Sequence, residues 1–77
     1  MSTINHIFIR KNPNAKRIYD YLLEHGPTTS LQIGRDLPDI SPQSRSRISK
    51  RLSNLGLIAG RRVTVGRMAT TEWRVIR

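Results

Sequence analysis

The pattern of apolar and polar residues predicts a helix near the start of the chain. The apolar positions at three- and four-residue spacing are Ala15, Ile18, Tyr19, Leu22 and Leu23. This spacing is typical of one face of an α-helix. Asn12-Pro13 supplies an N-cap followed by proline at the first helical position, and Gly26-Pro27 interrupts the pattern. The sequence therefore predicts a first helix over about residues 13–25.

Two shorter patterns of the same period predict a second and a third helix. Thr29 begins a Thr-x-x-Gln capping box, and the second pattern stops before Pro38. Ser41 is followed by proline, as Asn12 is, and Gly56 ends the third pattern. The apolar positions of the two helices are Leu31, Ile33 and Leu37, and Ile48, Leu52 and Leu55. We therefore place the third helix at about residues 42–55, after a tight turn.

Beyond residue 56 the pattern changes to the alternation of a β-hairpin. Residues 57–65 and 70–76 are rich in β-branched side chains, and Gly66-Arg67 between them suits a two-residue turn. That turn would place Arg61 opposite Glu72 as an ion pair, and Gly60 opposite Trp73. We expect Trp73 to face the core; its alternative use, stacking on bases, stays open.

The first eleven residues are apolar in part but carry no helix cap. Their apolar side chains are Ile4, Ile7, Phe8 and Ile9. We predict an N-terminal arm or short strand over residues 1–11, ahead of one domain over residues 12–77. Two uses of these side chains stay open: self-contact in a homodimer, or cover for the first helix or the hairpin edge in a monomer.

The charge of the chain is segregated along its length. Nine of the fourteen Lys and Arg residues lie between Ser41 and Arg77, together with one acidic residue, Glu72. That half has a formal net charge of +8, whereas residues 1–40 have +1. A basic helix followed by a basic hairpin is typical of a protein that binds duplex nucleic acid.

The third helix carries the candidate base-reading residues. With Ile48, Leu52 and Leu55 turned to the core, its opposite face contains no acidic residue. Arg and Lys side chains can donate to guanine, and Gln and Asn can pair with adenine. The predicted DNA-binding residues of this helix are Gln43, Ser44, Arg45, Ser46, Arg47, Lys50, Arg51 and Asn54. The alternative is a solvated face, although solvated faces usually interleave Glu with Lys.

The hairpin and two helix caps complete the predicted interface with double-stranded DNA. Arg61, Arg62 and Arg67 are the candidate hairpin contacts, to the backbone or the minor groove over about residues 60–71. A solubilising turn is the alternative role for Arg62 and Arg67. Thr29 and Ser41 are predicted to cap helices or to contact a phosphate.

Three helices followed by a C-terminal two-stranded β-hairpin define an α+β fold that is mainly α. Over residues 12–76 the chain resembles the winged helix-turn-helix family. The segments that carry the resemblance are TTSLQI at 28–33, RISKRLSNLGLI at 47–58 and TEWRV at 71–75. The resemblance implies a small bacterial, archaeal or phage transcriptional regulator, such as a repressor, in the cytoplasm and on the nucleoid when bound. Gly34 departs from the family pattern, where alanine is frequent, and indicates close helix packing.

Little in the sequence favours catalysis. The chain has no cysteine, and His6 and His25 are not at metal-ligand spacing. Asp36 and Asp39 flank a turn and are expected to be structural. We therefore predict a binder and not an enzyme, with no cofactor, metal, small-molecule ligand or membrane contact. Two alternatives remain: a winged-helix adaptor that binds a polymerase or another protein complex, and an architectural DNA binder with little sequence preference.

Overall fold

The fold is α+β and mainly helical in the computed structural model, which describes the backbone of residues 3–76 and the side chains of residues 7–76. Within these residues lie four helices and three strands. The helices are α1 (Thr3–Lys11), α2 (Pro13–His25), α3 (Ser30–Asp36) and α4 (Pro42–Asn54). The strands are β1 (Thr28–Thr29), β2 (Ile58–Val65) and β3 (Met68–Val75).

The capping residues correctly predicted where α2, α3 and α4 begin. The side chain of Asn12 accepts a hydrogen bond from the Ala15 amide at 3.2 Å. Thr29 and Ser41 do the same for amides three residues later, also at 3.2 Å. Each cap satisfies a backbone donor that a helix cannot satisfy internally. The three helices therefore begin at fixed points on the chain.

The hairpin has the predicted register. Gly66 adopts a φ of 62° in the two-residue turn, a conformation that favours glycine. Arg61 pairs with Glu72 and Gly60 with Trp73. Because side chains alternate between the two faces of a strand, Arg61 lies on the face of the hairpin opposite to Trp73.

The predicted strand count was wrong, because the sheet has three antiparallel strands in the order β1-β3-β2. Thr28 pairs with Trp73, and Thr29 with Glu72. The cause is the cap of α3: Thr29 has the extended backbone of an N-cap, with φ −75° and ψ 156°. The two residues before the helix therefore run alongside β3, and the sheet is anchored to the start of α3.

The core lies between the helices and the base of the sheet. Its fully buried large side chains come from α2, α3, α4, β2 and the turn before α4, and they are Ile18, Leu22, Ile33, Ile40, Leu52 and Ile58. Trp73 packs against this cluster as predicted, and Val75 of the same strand does so too. The core thereby fixes one side of α4 and one face of the hairpin.

The N-terminal segment is a helix, so the predicted strand was wrong. Ile4, Ile7 and Phe8 have the i, i+3, i+4 spacing of a helix face, and this outweighs the missing cap. Ile9 is 7% exposed, and Phe8 packs against the core. These two side chains are thus used within the monomer, which leaves Ile7, at 37% exposure, on the surface. The side chain of Ile4 lies outside the described residues.

Candidate nucleic-acid interface

Helix α4 presents a polar face to solvent because its other face is held in the core. Ile48 and Leu52 are 6% and 0% exposed, and Ser49 beside them is also buried. The exposed side chains of the helix that were predicted to contact DNA are Gln43, Ser46, Arg47, Lys50, Arg51 and Asn54. We call Gln43, Arg47, Lys50 and Asn54 the outer face of α4, since they fall within about 60° on a helical wheel.

No carboxylate among the described side chains neutralises the cations of α4. Among the side chains of residues 7–76, the ion pairs are Lys16 with Asp20, Arg17 with Asp39, and Arg61 with Glu72. None involves α4, so Arg47, Lys50 and Arg51 have no carboxylate partner in this part of the chain. An exposed helix face with unpaired cations attracts a polyanion.

Arg45 does not belong to the outer face. It is half-buried, and its Nη1 donates to the carbonyl of Ile40 at 3.5 Å. Its guanidinium lies over Gly34, where an added Cβ would come within 2.8 Å of the guanidinium carbon. The Arg45 side chain of α4 therefore packs over Gly34 of α3. Close helix packing was predicted at Gly34, whereas the contact found there is with the end of this side chain. Ser44 is half-buried, and its amide is the donor to the Ser41 cap.

A groove separates α4 from the hairpin. It has a volume of about 350 Å³, and its polar lining includes Ser30, Ser46, Ser49, Lys50 and Thr71. Trp73 also lines the groove and is held from two sides. The indole Nε1 donates to Ser30 Oγ at 2.9 Å, and a Cβ on Gly60 would lie 2.6 Å from the indole ring. We call this the hairpin groove.

The hairpin arginines differ in what surrounds them. Arg61 Nε donates to Glu72 Oε1 at 2.9 Å, so this predicted contact residue is already paired. Arg62 and Arg67 are exposed and have no ion-pair partner among the described side chains. Register places Arg62 on the same face as Trp73, the face that borders the hairpin groove. Two of the three predicted hairpin cations are therefore available.

A second depression lies on the other edge of α4, and no motif in the sequence predicts it. It has a volume of about 220 Å³ and is lined by Phe8, Asn12, Arg47, Ile48 and Arg51. The guanidinium carbon of Arg51 lies 5.8 Å from the centroid of the Phe8 ring, within the range of a cation–π contact. We call this the Phe8 hollow. Ser30, Thr71 and Phe8 were not singled out as site residues because only the tertiary fold brings them to α4.

The acidic residues near the α3–α4 turn have structural partners. Asp36 accepts from the hydroxyl of Tyr21 and from Gln32 Nε2, and these bonds hold the pKa of Asp36 below its usual range. Burial, helped by Asp36, raises the pKa of Tyr21 to about 12. Hydrogen bonding to Arg17 lowers the pKa of Asp39. Asp36 and Asp39 thus have separate partners, which agrees with the structural role expected for them.

Within the described part of the chain, no three His, Cys, Asp or Glu side chains are grouped as a metal site would require. Over the same residues, no helix has both the length and the apolar character needed to cross a membrane. Comparisons with protein-family models, curated proteins and solved structures found no match to this chain. We therefore infer the function from the geometry and charge of the surface.

Proposed function

We propose that this chain is a winged helix-turn-helix protein that binds duplex DNA sequence-specifically and regulates transcription, with α4 in the major groove. One observation carries the proposal: among the described side chains, the cations and amides on the outer face of α4 have no acidic partner, and the neighbouring hairpin carries Arg62 and Arg67, which are unpaired there too. The core packing of Ile48 and Leu52 holds this face outward.

The chemistry of the outer face suits the edges of base pairs. The major groove is about 12 Å wide and admits an α-helix. Arg47 and Lys50 can donate to O6 and N7 of guanine, and Gln43 and Asn54 can pair with N6 and N7 of adenine. These four residues span three turns of α4, so they follow several successive base pairs along the groove.

The hairpin is proposed to contact the DNA backbone or the minor groove. Arg62 lies beside the hairpin groove, and Arg67 lies in the turn between β2 and β3. Contacts of this kind position a protein on the duplex without reading its sequence. In this arrangement the hairpin supplies affinity and α4 supplies specificity.

Selection of bound sequences from a pool of random duplexes tests this proposal. We expect enrichment of a short motif by the wild-type protein, and loss of preference at one or two positions for Arg47→Gln. Arg74→Gln is the matched control, because Arg74 is exposed on the hairpin face opposite to Trp73. Enrichment of no motif, with retained binding, would instead indicate an architectural binder with little sequence preference.

A protein-interaction adaptor is the second candidate, favoured by the tip of the hairpin. Val65 and Met68 pair across the strands and are 51% and 58% exposed. Exposed apolar side chains beside a basic residue such as Arg67 can bind a partner protein whose surface is acidic and partly apolar. If the protein is an adaptor, Met68→Gln should weaken partner binding. The wild-type protein should then have negligible affinity for random duplex DNA.

A further inference from the structure

The C-terminal turn of α1 lies against the edge of α4 that faces away from the hairpin. Phe8 of α1 and Asn12 at the start of α2 line the Phe8 hollow together with Arg47 and Arg51 of α4. On the helical wheel of α4, Arg51 lies about 140° from Ser46, which lines the hairpin groove. The outer face of α4 is therefore bordered by the hairpin on one side and by the α1–α2 junction on the other.

Lys11 extends the basic surface of α4 onto α1. Lys11 is three residues after Phe8, so the two side chains share one face of α1, and Phe8 faces Arg51. Lys11 is exposed and, within the described residues, has no ion-pair partner. Arg51 is exposed too, and no carboxylate of the same described residues pairs with it. Arg51 lines the Phe8 hollow together with Arg47 of the outer face, and Lys11 lies within one helical turn of Phe8.

We infer that Lys11 and Arg51 form a second phosphate-binding site, which contacts the DNA backbone on the side of the major groove opposite to the hairpin. This inference rests on the proposed function. A helix in the major groove has one backbone strand on each side, so a protein with cations on both edges of that helix can contact both strands. Lysine and arginine are the side chains that usually neutralise phosphates. The N-terminal helix is thereby part of the DNA interface.

Phe8 acts in this site as a positioning residue. Its ring lies 5.8 Å from the guanidinium carbon of Arg51, and Phe8 is itself packed against the core through α1. A long arginine side chain loses rotamer freedom when it binds a phosphate. Contact with a fixed aromatic face restricts Arg51 beforehand and directs it toward α1, so less freedom is lost on binding.

The test compares two substitutions that remove the same charge from α1. Lys11→Gln should flatten the slope of log affinity against log salt by about 0.9, the value for one phosphate contact. Arg10→Gln is the matched control, because Arg10 is exposed but lies about 160° from Phe8 on the helical wheel. Random duplex DNA is the probe, and thermal melts confirm that both variants fold.

Ethylation interference on a duplex of defined sequence locates the contact, because ethylation of a phosphate that the protein touches blocks binding. We expect two clusters of interfering phosphates, one on each side of the bound major groove. Lys11→Gln should abolish interference in one cluster, and Arg62→Gln in the other. A single cluster that responds only to Arg62→Gln would overturn the inference.

Phe8→Leu tests the positioning role, because leucine retains an apolar side chain and removes the ring. In the Phe8→Leu protein, Arg51→Gln should lower the affinity for duplex DNA by a smaller factor than it does in the wild-type protein. If Arg51→Gln lowers the affinity by the same factor in both proteins, Phe8 does not position Arg51.

The outcomes separate the inference from the proposed function. If the wild-type protein binds duplex DNA and Lys11→Gln behaves like Arg10→Gln, the second phosphate site is wrong and the proposed function stands. If the wild-type protein does not bind duplex DNA, both fail.

Discussion

Trp73 and Ser30 are joined by a hydrogen bond from the indole Nε1 to Oγ at 2.9 Å. The bond links β3 to the first residue of α3, and it stands beside the pairing of β1 with β3. It is part-buried, so loss of one partner leaves a polar group poorly satisfied. The hairpin is therefore tied to the start of α3 by a side-chain contact between residues far apart in sequence.

Removal of this bond should destabilise the protein modestly. We expect Ser30→Ala to lower the free energy of unfolding by about 0.5–1.5 kcal/mol, the usual net value of one hydrogen bond. Denaturant unfolding followed by Trp73 fluorescence measures the change. Ser53→Ala is a control, because Ser53 is half-buried in α4 and its side chain has no such bond among the described residues. Equal effects of the two substitutions would contradict a role for the bond.

Substitution by alanine should change the stability differently at two glycines. At Gly60 an added Cβ would meet the rigid Trp73 ring at 2.6 Å, so we expect a loss of about 1–3 kcal/mol, as for other overpacked sites. At Gly34 it would meet the movable end of Arg45 at 2.8 Å. Alanine also favours the helix by about 1 kcal/mol, so Gly34→Ala should be neutral or stabilising. Thermal melts of both variants decide this; destabilisation by Gly34→Ala would show that the position of Arg45 is essential.

The starts of the helices and the hairpin register were predictable because each depends on neighbouring residues. Asn12-Pro13 specifies the start of α2 without any tertiary contact, and Gly66-Arg67 alone sets which residues of β2 and β3 face each other. Local signals of this kind are present in the sequence itself.

Two features that the sequence did not predict depend on tertiary packing. Arg45 looks like any other arginine of α4, and only the approach of α3 turns it onto Gly34. The strand β1 is two residues long and exists because β3 passes beside it. The helix α1 did carry a local signal, the spacing of Ile4, Ile7 and Phe8, but its missing cap led to the prediction of an arm or strand.

The stability of the fold should fall at acid pH. The pKa of Asp39 is lowered by its hydrogen bond to Arg17, and that of Asp36 by its bonds to Tyr21 and Gln32. A carboxylate with a lowered pKa in the folded state stabilises the fold above its unfolded pKa, about 3.9, and this contribution is lost as pH falls through the folded pKa. Denaturant unfolding from neutral to acid pH measures the loss. Asp39→Asn should show a shallower decline, and an unchanged decline would contradict a role for the Arg17 pair.

Dimerisation on DNA stays a prediction. Two copies on a symmetric site multiply discrimination between operator and random sequence. Because Phe8 and Ile9 are used within the monomer, Ile7 is the described residue of the proposed self-contact that remains exposed. Sedimentation of the protein, free and on a selected site, should show two copies per site for the wild type. Ile7→Gln should reduce this to one copy; an unchanged ratio would exclude Ile7 from the contact.

The most direct test of duplex DNA binding is a titration of random duplex at several salt concentrations. With roughly five phosphate contacts from α4 and the hairpin, log affinity should fall against log salt with a slope of about −4 to −5. Arg62→Gln and Arg67→Gln should each flatten the slope by about one unit, and Arg74→Gln should leave it unchanged. Absence of binding, or a slope near zero, would contradict the DNA-binding function and favour the adaptor.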